Sequence, residues 1–245
     1  MTFVLQTAYW VIIPAAGTGQ RMQADRPKQY LDILGKTILE HTLLAFNHPD
    51  VINGIVVSLA GDDPFWPVIK TGLSDLNVPL YEAKGGAERC QSVHNALQTL
   101  HKLASPEDWV LVHDAARPCV SWQDILRLVD ILKDHEVGGL LASPVKDTIK
   151  RASDNGRVES TVDRHGLWRA LTPQMFRYGV LQKALQQALD QDRQVTDDAS
   201  AIEQLGLQPQ LIEGSSDNIK ITTPEDRQLA EYFLSRAARH KQGEP

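Results

Sequence analysis

The stretch Pro14-Ala15-Ala16-Gly17-Thr18-Gly19-Gln20-Arg21-Met22 follows the apolar run Tyr9-Trp10-Val11-Ile12-Ile13 and carries two glycines, then an arginine. A lysine, Lys28, stands a little further on, directly after Pro27. Glycines let backbone N–H groups come close to a phosphate, and a nearby helix start adds partial positive charge. Arg21 and Lys28 add two full charges, suited to a triphosphate tail and to charge that builds during reaction. Pro27 fixes the backbone angle before Lys28. Two common phosphate loops do not fit. There is no G-x-x-x-x-G-K-[ST] run, and Met22 stands where a dinucleotide fingerprint needs its third glycine. A merely basic surface loop would explain either cation alone, but not both in a glycine-rich strand-end loop.

Further stretches carry comparable chemistry. Gly85-Gly86-Ala87-Glu88-Arg89 precedes a helical pattern, and glycines there favour close backbone approach. Ser92 lies one turn into that helix, where it reads equally as a helix-surface serine. His113-Asp114-Ala115-Ala116-Arg117-Pro118 follows another apolar run. A carboxylate at such a strand end can meet Mg2+ directly or through water, contact sugar hydroxyls, or simply shape a turn.

The elements that must position these residues alternate. Short apolar runs at Trp10–Ile13, Gly54–Leu59, Leu80–Ala83, Trp109–His113 and Gly139–Ala142 predict buried strands. Amphipathic stretches at Thr37–Phe46, Pro64–Leu73, Glu88–Leu103 and Trp122–Lys133 predict helices between them. The pattern is that of an α/β, mostly parallel sheet with helices on both faces, whose ligands sit at the carboxyl ends of strands. The rhythm then breaks. Val145–Arg151 and Arg157–Arg164 alternate apolar and polar residues around Asp154-Asn155-Gly156, a hairpin-turn signal. Such a hairpin is too polar to bury either face and marginal alone, so a second subunit is its expected support. Helices at Tyr178–Leu189 and Ala199–Leu205 and strands near Gln210–Glu213 and Asn218–Ile221 complete the pattern. A last helix opens on Thr223-Pro224-Glu225-Asp226, with a threonine cap, an early proline and acids in the first turn. No linker composition interrupts the chain, so residues 1–245 read as one domain with a protruding arm at about 145–165.

The formal charge of −6 over 245 residues argues against a nucleic-acid groove, but not against small anionic substrates held by a few gathered cations. No apolar run approaches the ~20 residues of a membrane span, and the start lacks the basic and apolar regions of a signal peptide, so a cytoplasmic protein is expected. Cys90 and Cys119 have no metal-ligand spacing and read as reduced, partly buried residues.

Taken together, P-A-A-G-x-G-x-R-M with P-K-Q-Y resembles the signature of the 2-C-methyl-D-erythritol 4-phosphate cytidylyltransferases. The resemblance runs over nearly the whole chain, through T-I-L-E-H (37–41), W-V-L-V-H-D-A-A-R-P (109–118), P-V-K-D-T-I-K-R (144–151), T-V-D-R (161–164), G-L-W-R-A-L-T-P-Q (166–174) and D-N-I-K-I-T-T-P-E-D (217–226). It implies a Rossmann-like nucleotidyltransferase, a homodimer joined by the β-arm, and a divalent metal, Mg2+ or another. The implied reaction is in-line attack of 2-C-methyl-D-erythritol 4-phosphate on the α-phosphorus of CTP, in the non-mevalonate isoprenoid pathway. The attacking phosphate, with a second pKa near ~6, is largely dianionic at neutral pH and needs no general base. His113 is accordingly read as a packed, hydrogen-bonded histidine.

The resemblance assigns roles. Arg21, Lys28, Arg164 and Lys220 are catalytic. Ala15, Ala16, Gly17, Thr18 and Gly19 bind CTP, with Gly85, Gly86, Ala87 and Ser92 near its base and Asp114 and Ala115 at its other side. Asp114, Arg117, Thr148, Arg164, Thr196 and Lys220 receive the sugar phosphate, Asp114 also being the metal candidate, and Thr196 is further expected to cap the Ala199 helix. If the arm crosses a dimer, Arg164 and Thr148 serve the partner's site. The family commonly has an acidic residue where this chain has Ala87. Lys146, Lys150 and Arg151 read as a solvated hairpin face. A ribitol 5-phosphate cytidylyltransferase is the nearest alternative, favoured less by the T-V-D-R and D-N-I-K matches. An NAD-dependent oxidoreductase lacks its third glycine, and a non-catalytic nucleotide-binding module would not need all four cations.

Overall fold

A computed structural model describes residues 7–17 and 26–241. Strand β1 (Tyr9–Pro14) leads to a 3-10 turn at Lys28–Tyr30 and a small hairpin of β2 (Asp32–Ile33) and β3 (Lys36–Thr37). Then come α1 (Ile38–Leu44), β4 (Gly54–Leu59), α2 (Trp66–Gly72), β5 (Leu80–Lys84), α3 (Arg89–Leu100), β6 (Trp109–Val112), α4 (Trp122–Leu132) and β7 (Gly138–Pro144). The arm is β8 (Ile149–Ala152) and β9 (Val158–Val162). The chain ends with β10 (Trp168–Arg177), α5 (Tyr178–Asp190), α6 (Asp198–Glu203), β11 (Gln210–Glu213) and α7 (Pro224–Lys241).

Seven strands form one sheet in the order β11-β7-β10-β6-β1-β4-β5. All pairings are parallel except those of β10, which runs antiparallel between β6 and β7. Side chains alternate across the sheet. Val11, Ile13, Ile55, Val57, Trp109 and Leu111 face one apolar layer, with Leu39, Leu43, Ile125 and Leu128 of α1 and α4. Trp10, Ile12, Val56, Val110 and Val112 face the other, with Val93, Leu97, Leu181 and Ile202 of α3, α5 and α6. The central strands are therefore almost wholly apolar because both faces are covered, and the one serine of β4, Ser58, donates its hydroxyl to the Ser92 carbonyl.

Several helices start where the sequence supplies caps. The Thr37 hydroxyl accepts from the Glu40 N–H while the Glu40 carboxylate accepts from the Thr37 N–H. Thr223 and Asp226 do the same before α7, as expected. Two expectations are corrected. The cap of α6 is Asp197, whose side chain accepts from Ser200 N–H, so Thr196 lies one residue too early to cap it. Asn218–Ile221 is not a strand. Its backbone reaches a neighbouring strand-end loop at one bond, Ile221 N–H to the Ala116 carbonyl at 2.9 Å, and side chains hold the rest. The arm forms as read, an antiparallel hairpin separate from the main sheet, with Gly156 at φ +76° in its turn and Val158 64 % exposed. Among the described residues no helix is long and apolar enough to cross a membrane. Both cysteines are free, Cys90 buried and Cys119 partly so.

Candidate active site

The carboxyl ends of β1, β5 and β6 open into a cleft of about 200 Å3. The loop after β1 forms one wall with Ala15, Ala16 and Gly17. Gln29, 4 % exposed, holds that loop: its amide donates to the carbonyls of Ala15 at 2.6 Å and Gly17 at 2.9 Å. The same turn presents Lys28, whose ammonium donates to the Ile221 carbonyl at 2.9 Å. Thr18, Gly19 and Arg21 lie outside the described residues.

The second wall is the approach to α3. A Cβ at Gly85 would stand 2.2 Å from the Ala16 Cβ, and one at Gly86 2.3 Å from the Gln91 Cβ. No larger residue fits either place, so the β5–α3 connection can lie directly on the β1 loop. Gly86, Ala87 and Ser92 line the cleft, while Gly85 packs beneath it. Ser92 is no surface serine. It is 3 % exposed, accepts from Gly86 N–H at 3.0 Å and donates to the Glu88 carbonyl at 3.1 Å. Ala87 N–H donates to Gln91 Oε1 at 2.9 Å.

Asp114, just past β6, is the charged centre. Its carboxylate meets Lys220 Nζ at 2.9 Å, Arg89 Nε at 3.1 Å and Arg117 Nε at 3.4 Å. Burial pushes this carboxyl up, but Arg89, Lys220 and Arg117 outweigh it and hold Asp114 ionised well below the usual carboxylate range. Lys28, Arg89 and Lys220 face the cleft against Glu88 and Asp114, so a chain of charge −6 keeps a cationic excess at this one place.

The structure thus brings together Ala15, Ala16, Gly17, Lys28, Gly86, Ala87, Ser92, Asp114, Ala115 and Lys220. Arg117 is buried behind Asp114 and does not line the cleft. Thr148 and Arg164 sit exposed on the arm, with the Arg164 guanidinium donating to the Lys146 carbonyl, and Thr196 is exposed before α6. None of these three lines the cleft of its own chain.

Two contributors escape a reading by motif. In the sequence Arg89 stands out only as part of a glycine stretch, yet its fork spans Asp114 and, at 2.8 Å, Asp198. Asp198 is fully buried and follows the candidate Thr196 by two residues. Burial raises the Asp198 carboxyl, and Arg89 only partly offsets this. A lone cation beside a glycine pair was the available signal for Arg89. Nothing local marks Asp198.

His113 is fully buried, and burial lowers its pKa from 6.5 to about 4. The unfolded chain therefore takes up a proton near 6.5 that the folded chain refuses until about 4. Stability is full above that window and falls as pH drops through it. The expected loss from His113 between pH 7 and pH 5 is about 2 kcal/mol. Denaturant titrations at the two pH values check it, and His113→Gln should flatten the dependence.

The family model described as 2-C-methyl-D-erythritol 4-phosphate cytidylyltransferase matches residues 9–236. The chain belongs to that family. A relative of that name from Pseudomonas entomophila is 56 % identical over 227 residues, 92 % of this chain and 95 % of the relative. The crystal structure of the Francisella tularensis 2-C-methyl-D-erythritol 4-phosphate cytidylyltransferase superposes with a TM-score of 0.79 at 39 % identity, covering 93 % of this chain and all of that one. A crystal structure of a 4-diphosphocytidyl-2C-methyl-D-erythritol synthase gives 0.81 at 38 % identity, over 94 % and 99 %. The α/β sheet described above is thus the nucleotidyltransferase fold of this family, as the sequence predicts.

Proposed function

We infer that the enzyme joins CTP and 2-C-methyl-D-erythritol 4-phosphate into 4-diphosphocytidyl-2-C-methyl-D-erythritol, with release of pyrophosphate, in isoprenoid biosynthesis. Family membership supports the reaction. The observation that carries the site is the meeting of a glycine loop with Lys28, Arg89 and Lys220 in one cleft. Two polyanions must be held together there, and no base is required, because the attacking phosphate is already ionised at neutral pH. In this reading Ala15 to Gly19 cradle the triphosphate, Gly86, Ala87 and Ser92 face the base, and Lys28 with Arg21 stabilises the charge of the transition state. Lys220, tethered to Asp114, receives the sugar phosphate.

Among the described residues no group of three His, Cys, Asp or Glu side chains could hold a metal alone. The donor set fits a different mode, a hard divalent cation held mainly by the nucleotide's phosphates and waters with one protein carboxylate. Asp114 is that carboxylate, and its three cations make contact through water the easier route. Bound there, a divalent cation such as Mg2+ would neutralise phosphate charge.

The arm's exposed faces support a homodimer, with Thr148 and Arg164 completing the partner's cleft around a single nucleotidyltransferase domain. Two inactive variants, Lys28→Ala and Arg164→Ala, should then regain part of the wild-type activity when their subunits are mixed and re-equilibrated. No recovery would place both residues in one chain's site. A cytoplasmic enzyme with reduced cysteines fits the same reading.

The deciding experiment is pyrophosphate release with CTP and Mg2+, comparing 2-C-methyl-D-erythritol 4-phosphate with ribitol 5-phosphate. Release only with the methylerythritol phosphate is expected. Release only with ribitol phosphate would keep the fold and the cation chemistry and overturn the substrate.

A further inference from the structure

We propose that Thr172 and His113 are a positioning pair, with His113 fixed as the neutral Nε2–H tautomer, that sets Asp114 and Lys220 in register for the reaction inferred above. The inference rests on that reading for its kinetic consequence, but its geometry stands separately.

Hydrogen-bond accounting determines the tautomer. Asp114 N–H donates to Thr172 Oγ1 at 3.1 Å. The Thr172 hydroxyl has one proton, and its other neighbour is His113 Nδ1 at 3.0 Å. Oγ1 could still accept a second N–H, so the other ring nitrogen decides: the ring proton sits on Nε2, which leaves Nδ1 of the neutral ring to accept from the hydroxyl. At Nε2 the proton meets the Arg117 carbonyl at 3.0 Å, an acceptor that can pair only with N–H. The other tautomer would set an imidazole lone pair against that carbonyl in a fully buried place, with no solvent to separate them.

The pair acts on the cleft from two sides. Through its hydroxyl, Thr172 fixes the backbone of Asp114. Through its carbonyl, it accepts from Asn218 Nδ2 at 2.7 Å. Asn218 in turn accepts at its own carbonyl from Arg117 Nη1 at 2.7 Å. Two residues beyond Asn218, Lys220 reaches Asp114 Oδ2 at 2.9 Å. One residue of β10 thus anchors both partners of the Asp114–Lys220 pair, which come from segments about a hundred residues apart. Neither Thr172, 5 % exposed, nor His113, fully buried, lines the cleft, so both act through other residues rather than on substrate. The irregular segment that carries Lys220 has little backbone pairing of its own and depends on this bracing.

The test uses the full-length protein. First, proton–nitrogen correlation spectra of the wild type without substrate assign the His113 tautomer, its signals identified by their loss in His113→Gln. The Nε2–H form is expected, and the Nδ1–H form would overturn the network whatever the enzyme does. Second, Thr172→Val keeps shape and removes the hydroxyl, leaving Asp114 N–H and His113 Nδ1 without a partner. Its kcat/KM for the sugar phosphate is expected to fall by about 10²-fold, the scale of a small misplacement at a reacting centre. The KM for CTP should change by less than the kcat/KM for the sugar phosphate, because the network reaches the nucleotide wall at α3 through the Arg89–Asp114 pair alone. Thr172→Ser restores the hydroxyl and should recover most of the loss. A Thr172→Val enzyme with wild-type kcat/KM, or a Thr172→Ser enzyme no better than Thr172→Val, would overturn the positioning role. Wild-type enzyme that releases no pyrophosphate would overturn the functional reading instead and leave the tautomer to decide the network. If Thr172→Val does not fold, Thr172→Ser and the wild-type tautomer carry the decision.

Discussion

Lys28→Ala is expected to lower kcat by about 10²–10³-fold, the range for removing one preorganised group aimed at developing charge. Sugar-phosphate KM should change by no more than a few-fold. The split follows from where Lys28 sits. The 3-10 turn that carries it is fixed by Gln29 to the carbonyls of the β1 loop and by the Tyr30 hydroxyl, which donates to Asp63 at 2.5 Å. Its ammonium donates to the Ile221 carbonyl in the cleft that it shares with the β1 loop, which the proposed function gives to the triphosphate. A cation that meets the charge passing from the α-phosphorus to the departing pyrophosphate gains interaction energy in the transition state that it lacks in the ground state. Its removal is therefore read in kcat. Steady-state rates of pyrophosphate release check this, and unchanged turnover would remove Lys28 from the catalytic set.

The parts of this architecture that a sequence shows are those whose cause is local. β1, β4 and β6 announce themselves because both faces of each are buried, so nearly every residue is apolar. The caps of α1 and α7 are visible for the same reason, since cap and capped N–H lie three residues apart. β10 gave no such signal. Its run W-R-A-L-T-P-Q-M-F-R holds a proline, which argues against an interior strand. The structure accommodates it because the pairing with β7 is interrupted between Ala170 and Gln174, so Pro173 falls where no ladder N–H is needed. That same interruption leaves the Thr172 hydroxyl and carbonyl for Asp114, His113 and Asn218. Asn218–Ile221 misled in the opposite way. N-I-K-I alternates like a strand, yet Ile221 is buried against α1 and α7 rather than in a sheet.

Within the cleft, the glycines, Lys28 and Asp114 were legible as chemistry. Arg89, Asp198 and Thr172 were not, because each matters through partners 25 to 109 residues away. Thr148 and Arg164 came from resemblance alone, and a single chain gives them no partner in the cleft.

Arg89→Met is expected to destabilise the folded protein by about 3–5 kcal/mol at neutral pH, the cost of leaving a buried charge without its partner. Methionine keeps much of the volume, so lost packing contributes little. Asp198 is fully buried, its Oδ2 meets Arg89 at 2.8 Å, and its Oδ1 has no hydrogen-bond partner among the described residues. Without the guanidinium this carboxylate must stay charged with no counterion or take up a proton. Burial already raises its pKa in the presence of Arg89, and removing the cation raises it further. A carboxyl whose folded pKa exceeds the unfolded one binds its proton more tightly when folded, so its penalty shrinks as pH falls. His113 changes stability in the opposite direction and is common to both proteins. The stability difference between wild type and Arg89→Met should therefore be largest near pH 7 and narrow toward pH 5, as read by guanidinium titration at each. A difference below about 1 kcal/mol would put Arg89–Asp198 among ordinary surface pairs, and one independent of pH would show that packing rather than the stranded carboxylate causes the loss.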